Sequence, residues 1–487
     1  MEAKEKKPKP APLSDIIEKV QQDFSAPFDL KTREFKIAGK TPAVVFFIDT
    51  IAGGQRVSLE ILSPLMRLQQ VGRDDIFETA TKELVTMCAV EVVETYEDAL
   101  TELLNGKTIM VIEGSSEFIS LDTTTLPGRG VAEPPTNSVV MGPREGFTES
   151  SVVNIGLVRK RLKTPDLAVI NQKCGKYSDT NVSIMYIKSI ADQKIVEAVT
   201  ERIKAISIDG VLDSFYIMQY LQDEAFNIFR QVGSAEKPDI IASKLLEGRV
   251  AVFVDGSPIV LSVPYILLED LQAADDYYNN NTIVTLRRFI RLFGGVIAII
   301  LPALYVAMQL FHYRILPLNT LFAVTNNIEN SPFSPLMEMV IVLILFEIMY
   351  EASLRMPRHL GAATSLVAAL VLGGTAVEAG LFSAPAVLVG ALSLIMMYIL
   401  PNLAPQIALL RFVFLIIGGI LGIYGIILAS IMLVIYLAGL NNFGTPLLAP
   451  FAPYVEGDMR DAIIMSNIKD RHRRPASIPN TNKKRAG

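Results

Sequence analysis

The chain has 487 residues, of which 51% are hydrophobic and 20% are charged, and its formal net charge is −5. So small a net charge argues against a nucleic-acid partner, because such binding requires a strongly basic surface. The sequence has only three histidines and lacks the GxxxxGK[ST], GxSxG, HExxH and CxxC motifs, so we expect neither an enzyme nor a protein with a cofactor or a metal.

The N-terminal part of the chain predicts a tail followed by a first α/β lobe. Residues 1–39 begin with lysines and prolines and lack the apolar core of a secretory signal, so we expect a disordered or helical tail. The first lobe is predicted over residues 40–130. Within it, Ala43–Ile48 predicts a strand, Val57–Leu68 predicts a helix, and two apolar runs around a Gly/Ser turn predict a hairpin over Asn105–Leu121.

The same order of elements recurs in a second α/β lobe, predicted over residues 150–280. Phe46–Ala52 aligns with Met185–Ala191, and Leu103–Thr108 aligns with Leu245–Val250 at a similar spacing. We therefore predict that the soluble N-terminal half arose by duplication and consists of two similar lobes. A cleft between two such lobes is a common place for a small ligand, but a rigid platform without a ligand site is an equally good interpretation.

The linker between the lobes, residues 131–149, ends in the motif GPREGFTE and leads into a helix with a basic face. Thr148 or Ser150 is expected to cap this helix, because a hydroxyl accepts hydrogen bonds from free N–H groups of the first turn. The basic face is either solvated or makes an anion-binding or inter-subunit contact. The candidate contact residues here are Gly142, Pro143, Arg144, Glu145, Glu149, Asn154 and Arg159.

From residue 281 to 440 the sequence predicts an all-α polytopic membrane domain, followed by a basic cytoplasmic tail over 441–487. Twenty uncharged residues suffice to cross a hydrocarbon core of about 30 Å. The apolar segments lie at about 292–311, 335–351, 360–377, 384–400 and 412–440. The second is expected to insert partly or to span, and the last is interpreted as one tilted or glycine-bent crossing.

Basic residues flank both ends of the membrane domain, which places the N- and C-termini on the cytoplasmic side. Four crossings plus a partly inserted helix would satisfy this orientation. Residues 466–487 are rich in proline, asparagine and basic residues, so we expect them to be disordered. They either touch anionic lipid head groups or serve as a plain stop-transfer tail.

The second apolar segment carries Glu347, Glu351 and Arg355 at four-residue spacing, and therefore on one helix face. Ionised groups are costly in hydrocarbon, so this face is expected to point towards protein or water. Either the two glutamates line a cation path, or Glu351 and Arg355 form a pair that orients the helix at the interface. Glu378 is a further candidate for the path or a solvated turn residue, and Glu338 is expected at the interface.

Several blocks of the chain resemble the A subunit of GerA-type spore germinant receptors. They are Gly142–Glu149, Glu236–Asp239, Leu245–Ala251, Val254–Pro258, Asp275–Tyr278, Glu347–Pro357, Ala376–Gly380 and Gly422–Ile426. The resemblance adds Asp239 and Asp255 to the candidate contact residues. The chain departs from the family at Ala235, where a threonine is usual, and at Lys237 and Tyr350, where arginines are usual. These changes leave open the ligand and any ion pair of the arginine that Tyr350 replaces.

The resemblance implies a nutrient germinant receptor in the inner membrane of a bacterial spore, assembled with B and C subunits. This chain or a partner subunit would hold the nutrient, and the A subunit would form a homo-oligomeric, nutrient-gated cation channel in the lipid bilayer. One alternative is an accessory ion channel of the stage V sporulation protein AF type. Another is a secondary transporter, although the few predicted spans and a repeat confined to the soluble half disfavour it.

Overall fold

The computed structural model describes residues 12–24, 28–68, 77, 89–125, 142–223, 227–315, 332–355 and 373–485. These residues form two α/β lobes, a bundle of apolar helices, and a C-terminal segment that returns to the second lobe. The predicted fold class, two similar α/β lobes followed by an all-helical region, is confirmed.

The first lobe contains a five-stranded antiparallel sheet in the order β1-β2-β4-β5-β3. Its strands are β1 (Leu30–Ile37), β2 (Thr41–Ile48), β3 (Val90–Val93), β4 (Thr108–Ile112) and β5 (Phe118–Leu121). Its helices are α1 (Leu13–Asp23), α2 (Gly54–Arg56), a π-helical turn (Val57–Leu62), α3 (Ser63–Arg67) and α4 (Tyr96–Leu104). The predicted hairpin is present as β4 and β5. The sheet begins at Leu30, before the predicted lobe boundary at residue 40.

Both faces of this sheet are covered, which explains why its central strands are continuously apolar. Helices α1 and α4 cover one face, where Phe46 and Leu103 belong to one core cluster. The helical segment from Gly54 covers the other, where Ile61 packs with Val45.

The second lobe repeats this arrangement, with the strand order β6-β7-β9-β10-β8. The strands are β6 (Leu167–Cys174), β7 (Thr180–Ile187), β8 (Gly233–Ala235), β9 (Val250–Val254) and β10 (Val260–Val263). The helices are α5 (Ser151–Arg159), α6 (Gln193–Lys204), α7 (Ser214–Leu221) and α8 (Pro238–Leu246). Because each strand occupies the same place in the order as its counterpart in the first lobe, the topology is that of a duplicated unit.

The helical region comprises α9 (Asn281–Leu310), α10 (Pro335–Arg355), α11 (Ala376–Glu378), α12 (Ala384–Tyr398) and α13 (Ala404–Gly439). Among the described residues, two helical stretches are long and apolar enough to cross a membrane by length and composition: Asn281–Leu310 and Pro401–Gly439. Most of the predicted segment at 360–377 lies outside the described residues, which resume at 373.

Helix α13 turns back on itself at Gly422, whose φ of 65° and ψ of −154° are not helical. A Cβ added at Gly425 would lie 3.1 Å from the carbonyl oxygen of Ile417, eight residues earlier. In a straight helix these positions would be about 12 Å apart along the axis, at about 1.5 Å per residue. The interpretation of 412–440 as one bent crossing is therefore wrong, because this glycine permits two antiparallel arms.

The bundle has a lobe end, which contacts the second lobe, and an opposite far end that includes Gly422. At the far end, Leu336 near the start of α10 packs against Gly419. At the lobe end, the rings of Tyr350 and Tyr398 lie 5.4 Å apart. Helix α10 therefore runs the length of the bundle.

The chain resumes at the far end after α10. Here Phe382, which follows α11, stacks on Phe333, which precedes α10, at 6.4 Å. Because α10 ends at the lobe end, the described segments on either side of residues 356–372 lie at opposite ends of the bundle.

The C-terminal segment, residues 441–485, packs on the second lobe. Thr481 N–H donates to the Ile190 carbonyl oxygen at 2.9 Å, and the Arg474 Nε donates to the Leu246 carbonyl oxygen at 2.7 Å. The expectation of disorder over 466–487 is wrong for residues 466–485, because backbone and guanidinium groups there find partners on the lobe.

Candidate functional site

An ion pair lies inside the helical bundle, in the half towards the lobe end, between Glu347 of α10 and Arg411 of α13. The Glu347 Oε2 lies 2.6 Å from an Arg411 Nη. The Arg411 side chain is 0% exposed, whereas that of Glu347 is 32% exposed. A guanidinium in so apolar a bundle is costly unless it is paired, so this carboxylate is the group that makes the buried charge tolerable.

The polar contact extends to a third and a fourth helix. The Ser393 hydroxyl of α12 donates to the Ala298 carbonyl oxygen of α9 at 2.7 Å and accepts from Arg411 at 3.3 Å. The ion pair is therefore linked to all four long helices of the bundle. The sequence analysis missed Arg411 and began the last apolar segment directly after it. The apolar run Ile407–Leu410 before this arginine is the signal that it lies inside a segment rather than at its edge.

The other predicted path residues are exposed in the single chain. Glu351 and Arg355 form the i,i+4 pair that the spacing predicted, at 2.6 Å, with 56% and 81% of their side chains exposed. Glu378 is exposed at the far end of the bundle. The structure thus brings Glu351 and Arg355 together and directs Glu347 to a different partner, Arg411.

Glu338, expected at the membrane interface, lies at the far end of the bundle but is buried. Its Oε1 accepts a hydrogen bond from the Ser383 backbone N–H, next to the first turn of α12. A carboxylate at the positive end of a helix is favourable, so Glu338 ties α10 to the start of α12.

The GPREGFTE motif forms an extended segment that leads into α5. The Asn154 Oδ1 accepts from the Thr148 N–H at 2.7 Å, and the Asn154 amide donates back to the Thr148 carbonyl at 2.6 Å. Glu145 pairs with Arg161 at 2.5 Å. Pro143 is half-buried and Arg144 is exposed in the same segment.

Helix α5 is capped by Asp255 rather than by Thr148 or Ser150. The Asp255 Oδ1 accepts from the Ser151 N–H at 3.0 Å and from the Ser151 hydroxyl at 2.9 Å, whereas the side chain of Ser150 makes no capping bond. Asp255 follows β9, and the Gly256 N–H in the same turn donates to the Glu149 carbonyl oxygen at 2.7 Å. The expected hydroxyl cap is therefore wrong, because the Ser151 N–H donates to the carboxylate of Asp255, in a turn distant in sequence.

The end of α5 joins the two lobes. Arg159 forms a bidentate ion pair with Asp29, which precedes β1, at 2.5 and 2.8 Å, and both side chains are almost fully buried. One turn earlier, Gly156 packs so closely on the first lobe that an added Cβ would overlap the Thr50 carbonyl oxygen. The basic helix predicted from sequence therefore directs its arginine to a contact between lobes.

Gly142 and Asp239 meet at Tyr278, just before α9. The Tyr278 hydroxyl donates to the Asp239 Oδ2 at 3.2 Å, and a Cβ on Gly142, at φ 117°, would lie 2.7 Å from the Tyr278 ring. A larger residue does not fit there, which accounts for a glycine at the start of the motif.

The second lobe is joined to the first turns of α9 by buried charges. Asp276 is 0% exposed and accepts from Arg288 at 3.1 Å and from Arg291 at 2.7 Å. In the lobe itself, Glu269 pairs with Lys244 at 2.6 Å and with Arg249. Burial opposes ionisation of Glu269, but the two cations outweigh it and lower its pKa from 4.5 to about 2.

A polar cavity of about 400 Å³ lies between the second lobe and the lobe end of the bundle. Its walls include Lys244 and Glu269 of the lobe and Asn402, which lies just before α13. Asn402 donates to the Asp270 Oδ1 at 3.3 Å. In the part of the chain that the structure describes, no group of three or more His, Cys, Asp or Glu residues is arranged to hold a metal ion.

The family model described as "Bacillus/Clostridium GerA spore germination protein" matches residues 18–477. Spore germination protein KA of Bacillus subtilis (strain 168) is 32% identical over 479 residues, which cover 98% of this chain and 88% of that protein. Stage V sporulation protein AF of the same organism is 30% identical, covering 78% of this chain and 77% of that protein.

A solved structure is also similar, the crystal structure of the N-terminal domain of the A subunit of the Bacillus megaterium spore germinant receptor GerK3. It is 28% identical, with a TM-score of 0.42, and the match covers 54% of this chain and 99% of that chain. The family match covers both lobes, the helical bundle and most of the C-terminal segment. The chain therefore belongs to the GerA family of spore germination proteins.

Proposed function

We propose that this chain is the A subunit of a nutrient germinant receptor in the spore inner membrane and forms an oligomeric, nutrient-gated cation channel. Its partners are B and C receptor subunits, further copies of the A subunit and the lipid bilayer, and a partner subunit holds the nutrient. The chain acts by conducting ions rather than by catalysis, since its family is one of spore germination proteins and not a known enzyme family.

The single observation that carries this proposal is the Glu347–Arg411 pair inside the bundle. A lone arginine there would repel cations, whereas the neighbouring carboxylate neutralises it and remains 32% exposed. In an oligomer, one such carboxylate from each copy would place a ring of oxygen atoms around the path, and rings of carboxylate or carbonyl oxygens are how cation pores select charge. Glu351, Arg355 and Glu378 are candidates for the entrances of the same path.

The junction between the second lobe and α9 supports transmission of a signal to this pair. Asp276 holds Arg288 and Arg291 on the first turns of α9, and α9 contacts Ser393 beside the ion pair. A partner that binds one arrangement of the lobes better than another would shift the gate by its difference in affinity. The signature residues Gly142–Glu149, Asn154, Arg159, Asp239 and Asp255 serve in this proposal to keep the lobes in one arrangement.

We also propose that both termini lie on the cytoplasmic side. The C-terminal segment packs on the second lobe, as the Thr481–Ile190 hydrogen bond illustrates, and this supports a head and a tail on the same face of the membrane. An even number of passes through the bilayer follows from that arrangement.

The test uses the full chain with its B and C subunits in liposomes that carry a cation-sensitive dye. Glu347→Gln is expected to reduce nutrient-evoked cation flux, because it leaves the Arg411 charge uncompensated, and Arg411→Gln is expected to increase it. Glu347→Gln/Arg411→Gln removes both charges and separates a conduction defect from misfolding. Glu94→Gln, which changes an exposed carboxylate of the first lobe, is the matched control. Unchanged flux in Glu347→Gln would remove this residue from the path.

The second candidate function is an accessory ion channel that amplifies ion release without sensing a nutrient. The observation that favours it is the 30% identity to stage V sporulation protein AF. Cation flux from the purified chain alone, without nutrient or B and C subunits, would favour this candidate. Stoichiometric uptake of a labelled nutrient would instead favour a secondary transporter.

A further inference from the structure

A second cavity, of about 630 Å³, lies between the C-terminal segment and the second lobe, apart from the ion pair in the bundle. Its wall is mostly apolar and includes Ile266 and Leu268 from the lobe and Pro450 and Val455 from the C-terminal segment. Tyr277, which lies just before α9, also lines it. The cavity therefore adjoins the end of α9 at which the apolar run begins.

The rim of this cavity carries an excess of positive charge, since six arginines and four acidic residues line it. Three of the acids are already used by donors of the protein. Glu247 pairs with Arg249 at 3.2 Å and with Arg485 at 3.7 Å. Asp461 pairs with Arg288 at 3.1 Å and with Arg471 at 2.7 Å, and Asp458 accepts from the Ser477 N–H at 2.7 Å. These contacts leave the carboxylates too few to neutralise the arginines.

Several arginine donors at the cavity have no partner within the described part of the chain. The Nε atoms of Arg249 and Arg471 are buried, and neither has a hydrogen-bond partner among the described residues. Arg460 and Arg473 line the cavity with exposed side chains, and no ion pair with a described residue engages either of them. A buried N–H donor without a partner costs free energy, which a bound acceptor would recover.

The arginines also repel one another. Among the described residues, Arg474 donates only to backbone carbonyl oxygens, including those of Leu246 and Asn482. Burial, and then the like charge of Arg485, lower the pKa of Arg474. An anion between these side chains would relieve the repulsion.

We propose that this cavity binds an organic phosphate, with the phosphate against the arginines and the apolar part against the wall that includes Ile266 and Val455. Guanidinium groups match the oxygens of phosphate in pairs, and a cavity of this size is typical of small-molecule sites. The phosphate belongs either to an anionic phospholipid that enters from the bilayer or to a soluble phosphate ester. This site does not depend on the channel function proposed above.

The test uses the full chain, purified in detergent and stripped of lipid. In one arm, phosphatidylglycerol is added back and native mass spectrometry counts the molecules that remain bound, with phosphatidylcholine as the neutral comparison. In the other arm, calorimetry measures binding of glycerol 3-phosphate. Retention of phosphatidylglycerol alone would assign the site to a lipid, and binding of glycerol 3-phosphate would assign it to a soluble ester. Absence of binding in both arms would overturn the proposal.

Substitutions of residues that line the cavity test whether the phosphate binds there. Arg460→Gln/Arg473→Gln changes two exposed side chains and is expected to weaken binding by about tenfold, whereas Asp470→Asn removes an exposed acid of the lining and is expected to strengthen it. The matched control is Arg33→Gln/Arg67→Gln, two exposed arginines of the first lobe. Equal affinities in the Arg460/Arg473 variant and the unaltered chain, or equal weakening by the control, would show that the anion binds elsewhere.

Discussion

The contact between the two lobes depends on the ion pair of Arg159 and Asp29, and its removal has a predictable cost. Asp29→Asn removes the negative charge and one of the two acceptor oxygens, so the buried guanidinium keeps only neutral acceptors, the amide oxygen and the Leu167 carbonyl oxygen at 3.2 Å. Breaking one partner of a buried pair costs about 3–5 kcal/mol, because the other charge stays desolvated. Asp179→Asn, in an exposed pair with Lys173, is the control and should cost less than about 1 kcal/mol.

Hydrogen exchange on the full chain in detergent measures this cost locally. The amides of β1 and α5 should exchange at least about a hundredfold faster in Asp29→Asn, since about 1.4 kcal/mol corresponds to a factor of ten. Arg159→Met/Asp29→Asn should be less destabilised than Asp29→Asn alone, because no buried charge remains. If Asp29→Asn exchanges like the Asp179→Asn control, the pair does not hold the lobes together and the reasoning fails.

Three further predictions concern the lobes. Asp255→Ala should cost about 1 kcal/mol through loss of the α5 cap, seen as faster exchange in the first turn of α5, and an unchanged rate there would contradict the cap. Gly156→Val should separate the lobes because of the overlap with Thr50, seen as new protease cleavage between them, and an intact digestion pattern would count against the contact. Glu269, with its pKa lowered from 4.5 to about 2, stabilises the second lobe fully above about pH 4.5. This contribution, about 3 kcal/mol, should be lost as the pH falls towards 2. In Glu269→Gln the midpoint of thermal unfolding should depend less on pH over that range.

Much of the fold could be predicted, because many of its elements follow from sequence patterns within short segments. The hairpin of β4 and β5 follows from two apolar runs around a glycine turn, and the second lobe repeats the pattern. The strand order in each sheet could not be predicted, because antiparallel pairs between distant segments leave no local signal. The turn at Gly422 could not be predicted from the sequence either. An uninterrupted apolar run of this length is compatible with one tilted helix and also with two shorter antiparallel helices.

The candidate site was predicted only in part, for a similar reason. The helical spacing gave the Glu351–Arg355 pair, because both residues lie on one helix. The partner of Glu347 lies 64 residues further along the chain, and the Asp255 carboxylate lies 104 residues from the N–H that it caps. Such contacts depend on how helices and lobes pack, and a single sequence does not report that packing.

The hydrogen bond between Thr481 and the Ser189 carbonyl oxygen joins residues 292 positions apart, with every helix of the bundle between them. During translation the second lobe leaves the ribosome long before the C-terminal segment that packs on it has been made. Packing of the C-terminal segment on this lobe is consequently among the last events of maturation, because every helix of the bundle has to be made before it. If the bundle spans the bilayer as proposed above, a chain with one helix in the wrong orientation would place its C-terminal segment on the opposite side of the membrane from the second lobe, and this contact could not form.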